Sequence, residues 1–444
     1  MHRSTDRDRS LGVMNRALRT SIFPFAVGLI VLASPAVAQE PDYSAEVAAL
    51  MANPAVVEAL DLIDQRDART MADLLELTEI PAPPFGEQAR GIRFLRMLGE
   101  LGVDSAWVDE VGNVLGLRRG TGSDEVVAVT GHLDTVFPEG TDVTVRQRGD
   151  TLFAPGIGDD TRGLATVLAI LRTLNEADIR TNANLLFIAT VGEEGLGDLR
   201  GVKHLFRPGG PRIDAFISID GTGHTSLTHQ GLGSHRYRVT IRGPGGHSWG
   251  DFGFANPAHA LGRAIDNFDL SADAITRSGA ATSYNVGRLG GGTSVNSIPF
   301  EAWMEVDMRS ASPQSLATID DVFRRAMTRA VDEANAQRRD GALLSLELEL
   351  IGNRPSGEIP ETDPFVQRAL AAGRALGIES ELERGSTDSN IPISMGIPAI
   401  TIGGGGVAGA AHSPGEWFIN RNGALGIKRA LMITLAQVGT AIAS

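Results

Sequence analysis

Val126-Val127-Ala128-Val129-Thr130-Gly131-His132-Leu133-Asp134-Thr135 is an apolar, β-branched run that turns polar just after a glycine. Such a run reads as a buried strand whose last residues emerge at the C-terminal edge of a sheet, where ligands and catalysis usually sit. His132 and Asp134 are two positions apart, so an extended backbone points them to the same side. A neutral imidazole ligates zinc well, and a carboxylate beside it can fix its tautomer. Alone, the pair reads more readily as a polar cap on a strand end. Its meaning depends on what the rest of the chain supplies.

Working outward, the apolar spacing predicts a helix over 55–77, stopped by Pro81-Ala82-Pro83-Pro84, and another over 87–101. Strands are expected near 103–108, 113–117 and 126–130, and the alternation of 142–148 suggests one more. Pro155-Gly156-Ile157-Gly158-Asp159-Asp160 is a tight loop ahead of a helix over 162–174, and its adjacent aspartates repel unless a cation lies near. A buried strand over 183–191 runs into Gly192-Glu193-Glu194-Gly195, and another over 214–219 ends at Asp220. Four times a strand or its following loop ends in acidic or His residues. Generally polar loops explain one or two such cases well, but four poorly.

From about Gly231 the texture changes to a strand (235–242), a helix (257–268), strands (282–288 and 301–309), a helix (314–337) and a strand (342–351). This β-α-β-β-α-β order is that of a ferredoxin-like sandwich. The α/β pattern resumes after Arg354-Pro355 with a helix over 364–376, a strand over 399–402, a glycine run, His412 and a last helix over 423–441. The expected architecture is therefore α/β: a catalytic domain, 39–230 and 352–444, with a mixed central sheet flanked by helices, and an inserted ferredoxin-like lid, 231–351.

At 444 residues two domains are the natural prior, and 42% apolar with 21% charged residues describes an ordinary globular chain. Residues 1–38 read as a signal peptide: five arginines precede an apolar run over 22–32, and Ala36-Val37-Ala38 closes it in the small-x-small pattern of a cleavage site. Export to the periplasm or the medium follows. Loss of that segment's five arginines and two aspartates takes the formal charge from −14 to −17. Such acidity argues against nucleic acid or an anionic membrane as a partner. Cysteine is absent, so any metal must be held by His, Asp and Glu.

His132, Asp134, Asp159, Glu193, Glu194, Asp220 and His412 are too many donors for one tetrahedral ion, and they suit zinc, manganese or cobalt. Two ions are the economical reading, clamping a water and lowering its pKa toward neutrality. Asp159, in its tight loop, is well placed to bridge them.

Together and in order, Gly-His-Leu-Asp-Thr-Val, Gly-Ile-Gly-Asp-Asp-x-x-Gly, Gly-Glu-Glu-Gly and the late His412-Ser413-Pro414 resemble the co-catalytic zinc hydrolases that include peptidase T, glutamate carboxypeptidase, acetylornithine deacetylase and succinyl-diaminopimelate desuccinylase. The resemblance spans nearly all of the chain after residue 38. It implies two zinc ions, His132 and Asp220 on one, Glu194 and His412 on the other, and Asp159 between. It also implies that Asp134 orients His132, that Glu193 is the general base, and that a cis peptide follows Asp159. In the lid it makes His247 a histidine that reaches the partner's active site in dimeric members, and Asn296 and Arg309 a clamp for a substrate carboxylate. Arg309 reads equally as a salt-bridge partner of Asp307. Residues 385–388 and 403–406 would line the pocket. The expected substrate is a short peptide, cut by an aminopeptidase or carboxypeptidase reaction, or an N-acyl amino acid. A homodimer through the lid is the expected assembly. His204, His224, His229, His235 and His259 read as structural or surface residues.

Two rival readings compete. Gly246-His247-Ser248-Trp249-Gly250 fits the serine-hydrolase elbow Gly-x-Ser-x-Gly, with Asp388 and His412 completing a triad in the right order. A non-catalytic binding protein on the same fold is the other, and an intact Glu193 speaks against it.

Overall fold

The computed structural model describes residues 43–441, which lie within one compact unit. The signal peptide expected over 1–38 lies outside the described residues. Among them, no helix is long and apolar enough to cross a membrane.

The main sheet has nine strands and is mixed. Across it run Ser105–Val108, Val114–Arg118, Asn184–Thr190, Val126–His132, Ala215–Ile219, Ala399–Ile402, Ser226–Gly231 and Gly357–Glu358, with Glu381–Gly385 also pairing beside Ser226–Gly231. The four central strands, Asn184–Thr190 to Ala399–Ile402, are mutually parallel, so their C-terminal ends share one edge. Val126–His132 is buried along nearly its whole length because helices cover both faces of the sheet, and its sequence is accordingly apolar rather than alternating. Thr161–Glu176 is likewise buried through most of its turns. Asp160 caps that helix by accepting from the Gly163 amide, and a side chain at position 163 would strike this carboxylate and the Ile219 carbonyl.

The apolar spacing over 55–77 belongs to two helices, Pro54–Gln65 and Asp67–Thr78, rather than one. The break falls at Arg66, whose dihedrals leave the helical region, and the two segments keep nearly the same apolar phase, which hid it. Only Arg146–Arg148 of the expected 142–148 strand forms, pairing with Thr151–Phe153 in a separate four-stranded sheet with Val407–Gly409 and Trp417–Ile419.

The insertion has its own four-stranded sheet, ordered Thr282–Gly291, Glu301–Ser310, Gly233–Arg242, Ser345–Arg354. Glu301–Ser310 alternates strictly, burying Ala302, Met304, Val306 and Met308 against helices Pro257–Thr276 and Pro313–Gln337. Tyr237, Phe268 and Phe323 form its aromatic centre, separate from the core of the main sheet. The helix expected over 257–268 continues to Thr276, and the last strand runs three residues past 351 to Arg354.

Candidate metal centre

The shared edge of the parallel strands carries the chemistry. His132 ends one strand, Glu193 and Glu194 follow the next, and Asp220 follows the third. Asp159 comes from the loop before Thr161–Glu176, and His412 from the loop between Val407–Gly409 and Trp417–Ile419.

Asp159 turns its two oxygens to different histidines. Oδ1 lies 3.0 Å from His132 Nε2, and Oδ2 lies 3.0 Å from His412 Nε2. Glu194 Oε1 is also 3.0 Å from His412 Nε2. Three groups of donors result, each with its atoms within 4.8 Å of one another: His132 with Glu193 and Glu194, His132 with Asp159 and Asp220, and Asp159 with Glu194 and His412. The last two lie on either side of one carboxylate, Asp159, an arrangement consistent with a dinuclear metal site. Nitrogen and oxygen donors without sulfur fit zinc, manganese or cobalt.

A frame of hydrogen bonds holds these donors. Asp160, whose carboxyl burial and the neighbouring Asp159 charge raise, accepts from the amides of His132, Gly163 and Gly221, which ties two strand ends to one helix. Asp134 accepts from the amides of Glu193 (3.0 Å) and Glu194 (2.8 Å). Its backbone carbonyl faces His132 Nδ1 at 3.0 Å, while its carboxylate is 3.6 Å away, so the carbonyl makes the shorter orienting contact. Glu416 takes the amides of Gly156, Gly158 and Asp159, and fully buried Arg90 donates to the Leu133 carbonyl. The Asp159–Asp160 peptide is cis, and His412 has a φ of 61°.

The charges are crowded. Burial, with Asp159 close by, raises the Asp220 carboxyl well above the usual range. Burial acts the same way on Asp159, but hydrogen bonds with His132 and His412 outweigh it and hold that carboxyl low. Hydrogen bonds to Asp159 and Glu194 lift His412 to about 10. Glu193 is pushed up to about 8 by burial, against the opposing charge of Arg354. Carboxylates crowded beside imidazoles in this way form a donor set whose charge a metal cation would balance.

Arg354 was not singled out from sequence. It ends the last strand of the insertion, and its Nη1 donates to Glu193 Oε1 at 2.9 Å and to Ser386 Oγ at 3.2 Å. His247, Asn296 and Arg309, all in the insertion, make hydrogen bonds within it and none with this cluster among the described residues. His247 and Asn296 are exposed and adjacent, linked by Ser248 N donating to the Asn296 carbonyl at 3.0 Å. Arg309 Nε pairs with Asp307 at 2.7 Å. The serine triad does not form: Asp388 accepts from Thr190, His412 faces Asp159 and Glu194, and no helix begins after Ser248 until Pro257. Among the remaining histidines, His204 pairs with Glu110, His235 faces Asp320, and His229 bonds the Ile359 carbonyl.

Fold and site together define an enzyme, a metal-dependent hydrolase of peptide or amide bonds. The sequence pattern of Peptidase family M20/M25/M40 matches residues 128–433, and the chain belongs to that family. YqjE of Bacillus subtilis (strain 168), described as an uncharacterized protein, is 26% identical over 356 residues, 76% of this chain and 90% of that protein. Carboxypeptidase G2 of Pseudomonas sp. (strain RS-16) is 25% identical over 300 residues, 65% of this chain and 68% of that protein. The crystal structure of aminopeptidase PepT from Bacillus cereus superposes with a TM-score of 0.67 at 21% identity, covering 83% of this chain and 98% of that one, a likeness of fold.

Proposed function

We propose that the chain is an exported dinuclear zinc hydrolase that cleaves an amide bond in short peptides or N-acyl amino acids. The observation that carries this reading is Asp159, whose two oxygens face His132 and His412 at 3.0 Å each. His132 and Asp220 would hold one ion, Glu194 and His412 the other, and Asp159 would bridge them. Bound there, the ions would acidify a shared water and polarise the scissile carbonyl. Manganese or cobalt would suit the same donors.

Glu193 is the general base of this account. It takes a proton from the attacking water and returns it to the departing amine. The Asp134 carboxylate holds the two glutamates through their amides, and its backbone carbonyl fixes the His132 tautomer. A carboxypeptidase and an aminopeptidase among the similar proteins favour a peptide-like substrate.

Residues 39–230 and 352–444 form the catalytic domain in this reading, and 231–351 a ferredoxin-like lid. The lid's separate core supports that division, and its exposed edge strand Thr282–Gly291 supports a homodimer through the lid. His247 assists turnover in its own or the partner's site, while Asn296 and Arg309 engage a substrate carboxylate. Residues 1–38 direct export.

The test is a screen of purified, zinc-loaded protein against di- and tripeptides and N-acyl amino acids, with products read by mass. Hydrolysis that a chelator abolishes and a serine-directed phosphonate leaves alone is expected. Phosphonate inhibition without chelator sensitivity would overturn the reading.

A further inference from the structure

The insertion contains a cavity of about 500 Å³ between the start of Pro257–Thr276 and the end of Pro313–Gln337. Its walls include His259, Arg263, Arg338 and Arg339, and no acidic residue. That is unusual in a chain of net charge −14. Every other arginine from Arg236 to Arg354 has a carboxylate within 4.0 Å. Arg263, Arg338 and Arg339 have none among the described residues.

None of the three has its charge neutralised, and Arg338 and Arg339 are held in place by other contacts. Arg263 buries Nη1 with no hydrogen-bond partner. Arg338 donates only to carbonyls, those of Asn335 and Gly341, at the end of its helix. Arg339 lies over the Phe252 ring, 5.3 Å from its centroid, and its amide bonds the Gly253 carbonyl at 2.8 Å. Gly253, at φ 121°, leaves the room this needs, since a Cβ there would meet the Arg339 side chain at 3.1 Å. Unpaired guanidinium groups converging on a cavity are a binding site for carboxylate or phosphate oxygens. The cavity also includes Ser248, next to His247, and Val295 and Ser297, which flank Asn296.

We propose that this lid cavity binds the oxyanion of a small molecule, a carboxylate or phosphate, beside His247 and Asn296. If those two residues engage substrate, which rests on the function proposed above, the anion is an acidic group of the substrate remote from the scissile bond. A free anion would use the same arginines.

The experiment titrates sulfate into the metal-loaded full chain by calorimetry, comparing wild type with Arg263→Gln and Arg339→Gln. Arg338 is left intact because it caps a helix, and thermal melts check that the variants fold. One binding event that each variant weakens about tenfold or more is expected, the scale of a lost charge-assisted hydrogen bond. Absence of sulfate binding, or equal binding by both variants and wild type, overturns the proposal. This arm needs no turnover, so it stands or falls apart from the hydrolase reading. In a second arm, substrates that differ only by Glu or Gln are compared. A tenfold loss of kcat/KM in the variants for the Glu substrate alone makes the anion part of the substrate, and retained kcat/KM with impaired sulfate binding assigns the cavity to a free anion.

Discussion

Arg354 and Glu193 are 161 positions apart and form a buried ion pair, Nη1 to Oε1 at 2.9 Å, with side chains 4% and 7% exposed. The pair joins the end of the insertion to the proposed base. Removing one member of such a pair leaves a buried charge unmatched, at a cost of about 3–5 kcal/mol. Arg354→Ala should therefore lower both stability and turnover. In the Arg354→Ala/Glu193→Gln double variant, the stability loss should be smaller than the sum of the single losses, as read by urea unfolding. Additive losses would show that the two side chains do not depend on each other.

Asp134 holds both glutamates through their amides. Asp134→Asn keeps the shape but offers one acceptor oxygen to two donors. Metal affinity should fall about 10–100-fold, the usual effect of losing a supporting hydrogen bond behind a ligand. Competition with a chromophoric chelator measures it, and unchanged affinity would remove Asp134 from the account.

Glu416 satisfies three amides of the loop that carries Asp159, and it is buried. Glu416→Ala leaves those donors without their acceptor and should cost at least about 2 kcal/mol in urea unfolding. The loop would lose its shape, so metal content after dialysis should fall as well. A variant with full metal content and wild-type stability would contradict this.

The insertion should respond to acid through Asp320. Burial works to raise its carboxyl, but His235, 3.3 Å away, and Arg324, which donates to it at 2.8 Å, outweigh that and bring it from 3.8 to about 2. A lowered folded pKa means that the stabilisation is complete above about pH 4 and lost as the pH falls toward 2. The stability gap between wild type and Asp320→Asn should accordingly be widest above pH 4 and close toward pH 2, as read by unfolding at fixed pH. A gap that does not change with pH would contradict it.

Much of this was legible in the sequence because the signals were local. The run before His132 is mostly apolar because it is buried along nearly its whole length, and His132, Glu193, Glu194 and Asp220 lie at strand ends that periodicity locates. The partners that hold those donors are not local. Arg354 and Glu416 are single charged residues at a strand end and in a loop, and nothing nearby in the chain marks them. Adjacency to Asp159 marked the repulsion that helps raise the Asp160 carboxyl, after burial, but not the three amides its carboxylate accepts from, two of which come from distant parts of the chain. The break at Arg66 hid because two helices in similar phase look like one. The order of the insertion was visible from alternation and helical spacing. The convergence of Arg263, Arg338 and Arg339 depends on folding that brings two helix ends together.

The central claim is that Asp159 joins two metal sites and Glu193 works beside them. Metal-free protein titrated with zinc, with bound metal and peptide or N-acyl amino acid hydrolysis followed together for wild type and Glu193→Gln, tests it most directly. The account predicts two ions per chain in both proteins and turnover only in wild type, lost on chelation and regained with zinc. Substantial turnover by Glu193→Gln, or by fully chelated wild type, would contradict it.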